Sequence, residues 1–384
     1  MIMKKAACVL LAVFVIFLAC NEERQRLAET EAGCTSGFTE QEHELAQPKM
    51  VAVPKPQTSG EEGGFMWELS GDGVKITGYT SADTVANIPP MINGKSVTMI
   101  GEYALSGVYW DDDALDWIPT GEVQLTGVTI PDSVTVIDNW AFRDNLLTDV
   151  TIPGSVLKIG FSAFENNQLT SVTLLPGIVE IGHLAFAHNQ LTEITIPDSV
   201  TNIEFSAFLD NKITGITIPD SVTNLGDQTF ANNQLTSLTI GNGITRIDED
   251  TFAYNKLTNV TVPENVRVIM DGAFRSNRIT DVTIGSGVTS IQGFAFEGNI
   301  LTGIVIPDSV TRIGGWAFGN WASTYRTITR ITIGSNVEFT WAGMRGAGDE
   351  TGGFGSAFDE FYKAQNRSAG TYTLNGGNWT FPAR

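Results

Sequence analysis

Between Leu125 and Trp321 the chain repeats a 22-residue unit nine times, and this period limits the fold more than any other property of the sequence. The second copy shows the parts: Leu147-Thr148-Asp149-Val150-Thr151-Ile152-Pro153, then Val156, Ile159-Gly160, Ala163-Phe164 and Asn167. A phenylalanine returns without a slip at Phe142, Phe164, Phe186, Phe208, Phe230, Phe252, Phe274, Phe296 and Phe318. An asparagine keeps the same step through Asn145, Asn167, Asn189, Asn211, Asn233, Asn255, Asn277 and Asn299. A constant period of this size marks a stacked array, in which each unit packs on its neighbours and cannot close a core alone.

Within a copy, Val150 and Ile152 alternate with Asp149 and Thr151, so one side of a short strand is apolar and the other wet. Pro153, or Gly in other copies, ends the strand by withholding a donor or freeing the backbone. Val156 and Ile159 form a second inward set, Gly160 supplies a turn, and Ala163-Phe164 goes back into the core. No stretch keeps helical periodicity for three turns, so the return limb is expected to be extended or 3-10. Stacked at roughly 4.7–4.9 Å, the strands make a parallel sheet and the phenylalanines a column, with nine coils spanning on the order of 45 Å. The asparagines read as a ladder whose amides donate and accept toward the backbone of their own and adjacent turns. The threonine columns (Thr148, Thr170, Thr192 and Thr151, Thr173, Thr195) suit exposed strand positions.

The pattern fades at both ends, as it must where a solenoid closes its open core. Folded sequence is expected from Phe65-Met66-Trp67, and Val97 to Leu105 is half a repeat with Leu105 in place of phenylalanine. The passage Val108 to Trp117 sets Asp111, Asp112, Asp113 and Asp116 between Trp110 and Trp117. It lacks the glycine and distal glutamate of a calcium loop and reads as an acidic surface loop with its tryptophans packed on the first coil. After Phe318 the array loosens: Trp321 takes the asparagine position and Ile331-Thr332-Ile333 is a last strand. Gly343 to Gly355 has no phosphate-loop spacing, and Gly370–Thr373 with Asn378–Phe381 reads as a closing hairpin.

The first residues are an address. Met1 to Lys5 is basic and Ala6 to Ala19 apolar, too short to span a bilayer and ordered like a secretory signal. Phe17-Leu18-Ala19-Cys20 resembles the lipobox of bacterial lipoproteins, in the looser form with Phe17 that spirochaete lipoproteins tolerate; the resemblance implies lipid attachment at Cys20. Asn21 to Gly64 is aperiodic and Glu-rich, so it reads as a flexible tether containing a lone thiol, Cys34, and an isolated His43. The expected organisation is a signal at 1–19, a tether at 20–64 and an N-terminal cap with degenerate repeat and acidic insertion at 65–124, followed by nine repeats at 125–322 and a last coil with C-terminal cap at 323–384. All three cysteines precede residue 35, so the folded part has no disulfide. The formal charge of −20 argues against nucleic acid and anionic membrane surfaces as partners.

Copy for copy, L-T-x-V-T-I-P-x-S-V-T-x-I-G-x-x-A-F-x-x-N-x resembles the BspA-type, Treponema-like leucine-rich repeats. The resemblance implies a mainly β, right-handed leucine-rich-repeat solenoid with atypical caps, displayed on a bacterial surface. It also implies a role in recognition, since several members are described as adhesins for host matrix proteins such as fibronectin and fibrinogen.

Catalytic residues are not expected. His183 and His188 sit in one repeat with no partner histidine, and zinc spacings are missing, so neither a metal nor another cofactor is assigned. Asp248, Glu249 and Asp250 read as a solvated outer turn. Two surfaces remain for binding a protein ligand. One is the strand face, with Asp149, Thr151, Glu193 and Thr195; the other is the turn before each Ala-Phe, where Trp140, Phe161, Leu184, Phe205, Phe294 and Trp316 are placed outward. The expected molecule is a monomeric surface lipoprotein that meets the membrane only through its lipid and binds a host matrix protein or another cell. The rivals are a carbohydrate binder using Trp110, Trp117 or Trp379, and a passive envelope protein.

Overall fold

The computed structural model describes residues 57–111, 116–119, 124–319, 328–340, 356–375 and 378–381. The signal, Cys20, Cys34, His43, Trp321 and the Gly343–Gly355 stretch lie outside the described residues.

Most coils contribute a strand of three or four residues and, on the return, a second one of two or three. Asp149–Ile152 pairs in parallel with Ser171–Leu174, Val150 opposite Val172, and its exposure alternates as the pattern requires. Lys158–Ile159 pairs with Glu180–Ile181 in the same one-coil register. The fourth coil departs from this: Glu193 to Ile196 is not a regular strand, although Ile194 and Ile196 remain buried. No helix occurs within the described repeats, so the return limb is the extended segment plus turns expected from the sequence.

The core is a set of columns. All nine phenylalanines are buried, and successive rings from Phe142 to Phe318 stack with centroids 5.0–6.0 Å apart and planes within 13° of parallel. The asparagines form the ladder. Asn189 Nδ2 donates to Phe164 O (2.9 Å) one coil back and to Phe186 O (3.2 Å) of its own turn, and its Oδ1 accepts Leu169 N (3.0 Å). An amide matches this need because it is donor and acceptor at once, and the turn leaves backbone groups that no strand pairs.

The turn geometry was not legible in the pattern. In the first eight coils two residues adopt positive φ, two positions before and two after the core phenylalanine, as at Ser162 (50°) and Asn166 (55°). The first of these positions holds Trp140, Leu184, Phe294 and Trp316 in other coils, which are poor left-handed residues. Stacking holds them there: Trp140 N, Phe142 N and Asp144 N donate to Phe161 O, Ala163 O and Glu165 O of the next coil at 2.8–3.0 Å.

Both ends are closed by antiparallel strands. Ser59–Glu62, upstream of Phe65, pairs with Phe65–Ser70, which pairs with Gly73–Tyr79; the latter runs parallel to Lys95–Ile100 and so leads into the array. Leu105 is buried in the phenylalanine position. The acidic insertion is not a plain loop. Val108–Asp111 and Asp116–Pro119 form an antiparallel pair with Trp110 opposite Trp117, because Val108, Tyr109, Trp110, Trp117 and Ile118 are β-branched or aromatic residues that favour strands. At the far end Arg330–Ile333 pairs with Gly303–Val305 on one edge and antiparallel with Gly370–Asn375 on the other, followed by Asn378–Thr380. The helix Ser356–Ala364 seats Phe358 and Tyr362 under this hairpin, and Tyr362 Oη donates to Gly334 O at 2.7 Å. Reversing strand direction and adding a helix gives the last coil a partner that does not propagate the stack.

Candidate recognition surfaces

The strand face places Asp149, Thr151, Glu193 and Thr195 in solvent. Asp149 and Thr151 sit beside Ser171 and Thr173 in register, while Glu193 and Thr195 lie two coils on. A parallel threonine row ties this surface together, with Thr170 Oγ1 on Thr148 O (3.2 Å), Thr236 on Thr214 O (3.1 Å) and Thr280 on Thr258 O (3.2 Å). Val305 replaces the outward threonine in the ninth coil and is 59% exposed. At Asp149, Thr151, Glu193 and Thr195 the face is polar and open to solvent.

The turn edge differs along its length. Tyr103, Trp140, Phe161, His183 and Phe205 make one continuous row: centroids 4.9 Å (stacked), 5.0 Å (edge-on), 6.3 Å and 6.2 Å apart. Trp140 is not an outward residue, since it is only 8% exposed. The cap supplies Tyr103 beneath it and Phe161 covers its other side. Phe161 and Phe205 are half-buried, as are Leu184, Phe294 and Trp316. His183 belongs to this row, a role that motif reasoning missed because it weighed the histidine only as a catalyst. Its Nε2 lies 2.7 Å from Glu204 Oε2, and this bond holds the Glu204 carboxyl below its ordinary range.

From the fifth coil the same turn position becomes Asp227, Glu249 and Asp271. The expectation that Asp248, Glu249 and Asp250 form a solvated outer turn holds for Glu249 alone. Asp248 and Asp250 are buried, because Arg246 covers the first and Arg275 Nη2 reaches the second at 2.7 Å. Burial pushes the Asp248 and Asp271 carboxyls up from their ordinary values. A further departure lies on the second and third coils, where Leu157, Leu175 and Val179 are 39–53% exposed; other copies mostly carry threonine at the Leu157 and Val179 position and proline or glycine at the Leu175 position. Trp379 is buried edge-on against Phe358 (4.9 Å), so it offers no open ring to a sugar. Among the described residues no three His, Cys, Asp or Glu side chains converge as metal ligands.

Parallel strands one coil apart, a buried phenylalanine column and an asparagine ladder define a leucine-rich-repeat solenoid. The sequence pattern of the BspA type leucine rich repeat region matches six copies, over residues 121–213 and 203–325. That is more than half of the chain, and the protein belongs to this family. A crystal structure of a leucine-rich repeat protein from Bacteroides ovatus is similar in fold, with a TM-score of 0.51 and 22% identity, covering 72% of this chain and 71% of that one. Pneumococcal vaccine antigen PcpA matches with a TM-score of 0.47 at 17% identity, over 74% of this chain and 84% of its own. A leucine rich cell surface protein from Faecalibacterium prausnitzii matches with a TM-score of 0.40 at 25% identity, over 76% and 96%. No curated protein matches the chain. Repeats of this kind serve binding and structure, and generally bind proteins.

Proposed function

We propose that the protein is a bacterial surface lipoprotein, exported by residues 1–19, anchored through Cys20 and held off the membrane by the tether. Its solenoid recognises a protein, a host matrix component or a protein of another cell, without catalysis. The observation that supports this most is the half-exposed row Phe161–His183–Phe205, whose rings are fixed by a backbone that hydrogen-bonds to the coils on either side. Rigid, partly exposed aromatic side chains contribute more than other residues to protein interfaces. Asp149, Thr151, Glu193 and Thr195 on the strand face form the second contact surface, and Trp140 supports the row from below.

The test is binding of the purified protein to immobilised matrix proteins and a glycan panel over a salt series. Saturable binding to a matrix protein, weakened about tenfold or more by Phe161→Ala, supports recognition through the turn edge. Weakening by Asp149→Asn and Glu193→Gln instead moves the site to the strand face. A flat response to every protein sinks the adhesive reading.

A further inference from the structure

On the return side, strand pairing runs unbroken from Lys95–Ile100 through Val136–Ile137, Lys158–Ile159, Glu180–Ile181 and Asn202–Ile203 to Asn224–Leu225; it stops there and resumes from Arg246–Ile247. The interruption falls between the fifth and sixth coils. On the opposite face the same coils remain paired, Gly215 with Ser237 through Ile218 with Ile240. The turn bond from Phe230 N to Thr251 O is also intact at 2.9 Å. The two coils therefore part on one side only. The phenylalanine column shows the same wedge, since Phe230 and Phe252 are 6.0 Å apart and every other step is 5.0–5.5 Å.

A cleft with a volume of about 230 Å³ opens at this joint. Its origin lies in one column, four residues before each core phenylalanine. That position holds Glu204 in the fourth coil, Gly226 in the fifth and Asp248 in the sixth, so a coil without a side chain is set between two that carry carboxylates. Gly226 cannot be replaced freely, because a Cβ there would lie 2.5 Å from Phe205 N and 2.8 Å from Glu204 C. Phe205 and Asp227, from the next turn position, and Arg246 from the return strand complete the walls that matter.

Partners within the chain use only part of this charge. Glu204 takes His183 Nε2 at 2.7 Å and Asn202 Nδ2 at 3.0 Å, and Asp248 is paired with Arg246. Asp227 gives one oxygen to Glu249 N at 3.0 Å. Three carboxylates thus face one guanidinium and one imidazole, with an aromatic ring beside them. Burial holds the Asp248 carboxyl above its ordinary value despite Arg246, and the neighbouring Asp227 carboxylate acts in the same direction.

We propose that this cleft receives one arginine side chain of a protein partner, its guanidinium among the Glu204, Asp227 and Asp248 carboxylates and its stem along the Phe205 ring. The volume lies below the roughly 300–1,000 Å³ of small-molecule sites and suits a single long side chain. A guanidinium brings five donors in one plane and stacks on aromatic faces; an ammonium is a point charge that would leave acceptors unused. The assignment rests on the protein-recognition reading above and names the chemistry it would use at this joint.

The test follows the imidazole resonances of His183 in the purified full chain by NMR, with His188 as the internal control. The probes are acetyl-Gly-Arg-Gly-amide, its lysine analogue and its citrulline analogue, which keeps the shape and loses the charge. The expected result is a saturable shift of His183 with the arginine peptide, a weaker response to lysine and none to citrulline. Asp227→Asn, which can still accept Glu249 N, should weaken the arginine response about tenfold. Equal shifts with citrulline, no saturation, or an arginine response indifferent to Asp227→Asn would overturn the proposal. If the arginine peptide fails while binding to an immobilised protein persists, the cleft assignment falls and the recognition reading stands. If the peptide binds as expected and every protein surface is flat, the cleft stands and the adhesive reading falls.

Discussion

The second to fourth coils carry Phe161, His183 and Phe205 at the turn position where the fifth to seventh carry Asp227, Glu249 and Asp271. Beneath both stretches the buried columns are the same. Phe186 and Phe252 are each fully buried between ring neighbours, and Asn189 and Asn255 make matching bonds, each Nδ2 lying 2.9 Å from the phenylalanine carbonyl one coil back. Each inward residue touches its counterparts above and below, so a change there would be felt in three coils at once. An outward residue meets only solvent and its immediate neighbours. The scaffold is thus held uniform by stacking, while the exterior is free to turn from aromatic to acidic within one coil.

The strongest way to break this comparison is to remove one ring from each stretch. Phe186→Ala and Phe252→Ala should each cost about 3–5 kcal/mol of unfolding free energy, as burial and cavity terms for phenylalanine predict. Urea unfolding of the two variants should agree within about 1 kcal/mol. A markedly cheaper loss at Phe252 would mean that the wedge beside Phe230 has already loosened the column, and the two stretches would no longer share one core.

Hydrogen exchange sharpens the comparison at the joint itself. Along the return limb, backbone N–H groups donate to the preceding coil, as in Glu204 N to Ile181 O (2.9 Å), Gly226 N to Ile203 O (2.9 Å) and Met270 N to Ile247 O (2.9 Å). The sixth coil lies across the interrupted ladder. The amides of Arg246 to Asp248 should therefore exchange about tenfold or more faster than those of Asn202 to Glu204, because local opening needs fewer bonds to break. Equal protection would show that the sheet closes across the joint in solution.

The columns were readable from the sequence because each depends on a residue type that only one environment suits: a large apolar ring inside, an amide where the backbone needs both donor and acceptor. The faces were less readable. Trp140 was placed outward from its position in the repeat, but its burial depends on Tyr103, a residue of the atypical cap. Asp248 and Asp250 looked solvated because their own turn is polar; what buries them is Arg246 two residues back and Arg275 one coil on. The left-handed turn residues escaped because Trp, Leu and Ser at those positions carry no preference for positive φ. The cleft at Gly226 was present in the sequence as Glu204–Gly226–Asp248 at a spacing of one coil. A glycine in a turn column is ordinary, and only the interrupted ladder distinguishes this one.

The smallest expected effect comes from a pair of residues that the two ends of the array share. Arg143 and Glu165 follow the core phenylalanines of the first and second coils, and Arg275 and Glu297 follow those of the seventh and eighth. At the front Arg143 Nε is shared, 2.9 Å from Asp144 Oδ2 and 3.3 Å from Glu165 Oε2. At the back Arg275 is drawn to Asp250 and over the Tyr254 ring (5.0 Å), and Glu297 is left buried with Oε1 unpaired. Burial raises the Glu297 carboxyl above its unfolded value of 4.5, with Arg275 opposing only in part. A raised carboxyl destabilises the fold where it must ionise: the unfolded chain loses its proton first as pH rises from about 4.5, so stability falls through the folded-state value. Glu297→Gln should therefore stabilise the protein by up to about 1 kcal/mol at neutral pH and by nothing well below pH 4.5. Glu165→Gln, which breaks a partnered carboxylate, should instead cost up to about 1 kcal/mol at neutral pH. Thermal unfolding of both variants across pH 3.5–7.5 decides the matter (the range brackets the ordinary carboxyl value). The same sign at both positions would show that Arg275 serves Glu297 as Arg143 serves Glu165, and that Asp250 does not divert it.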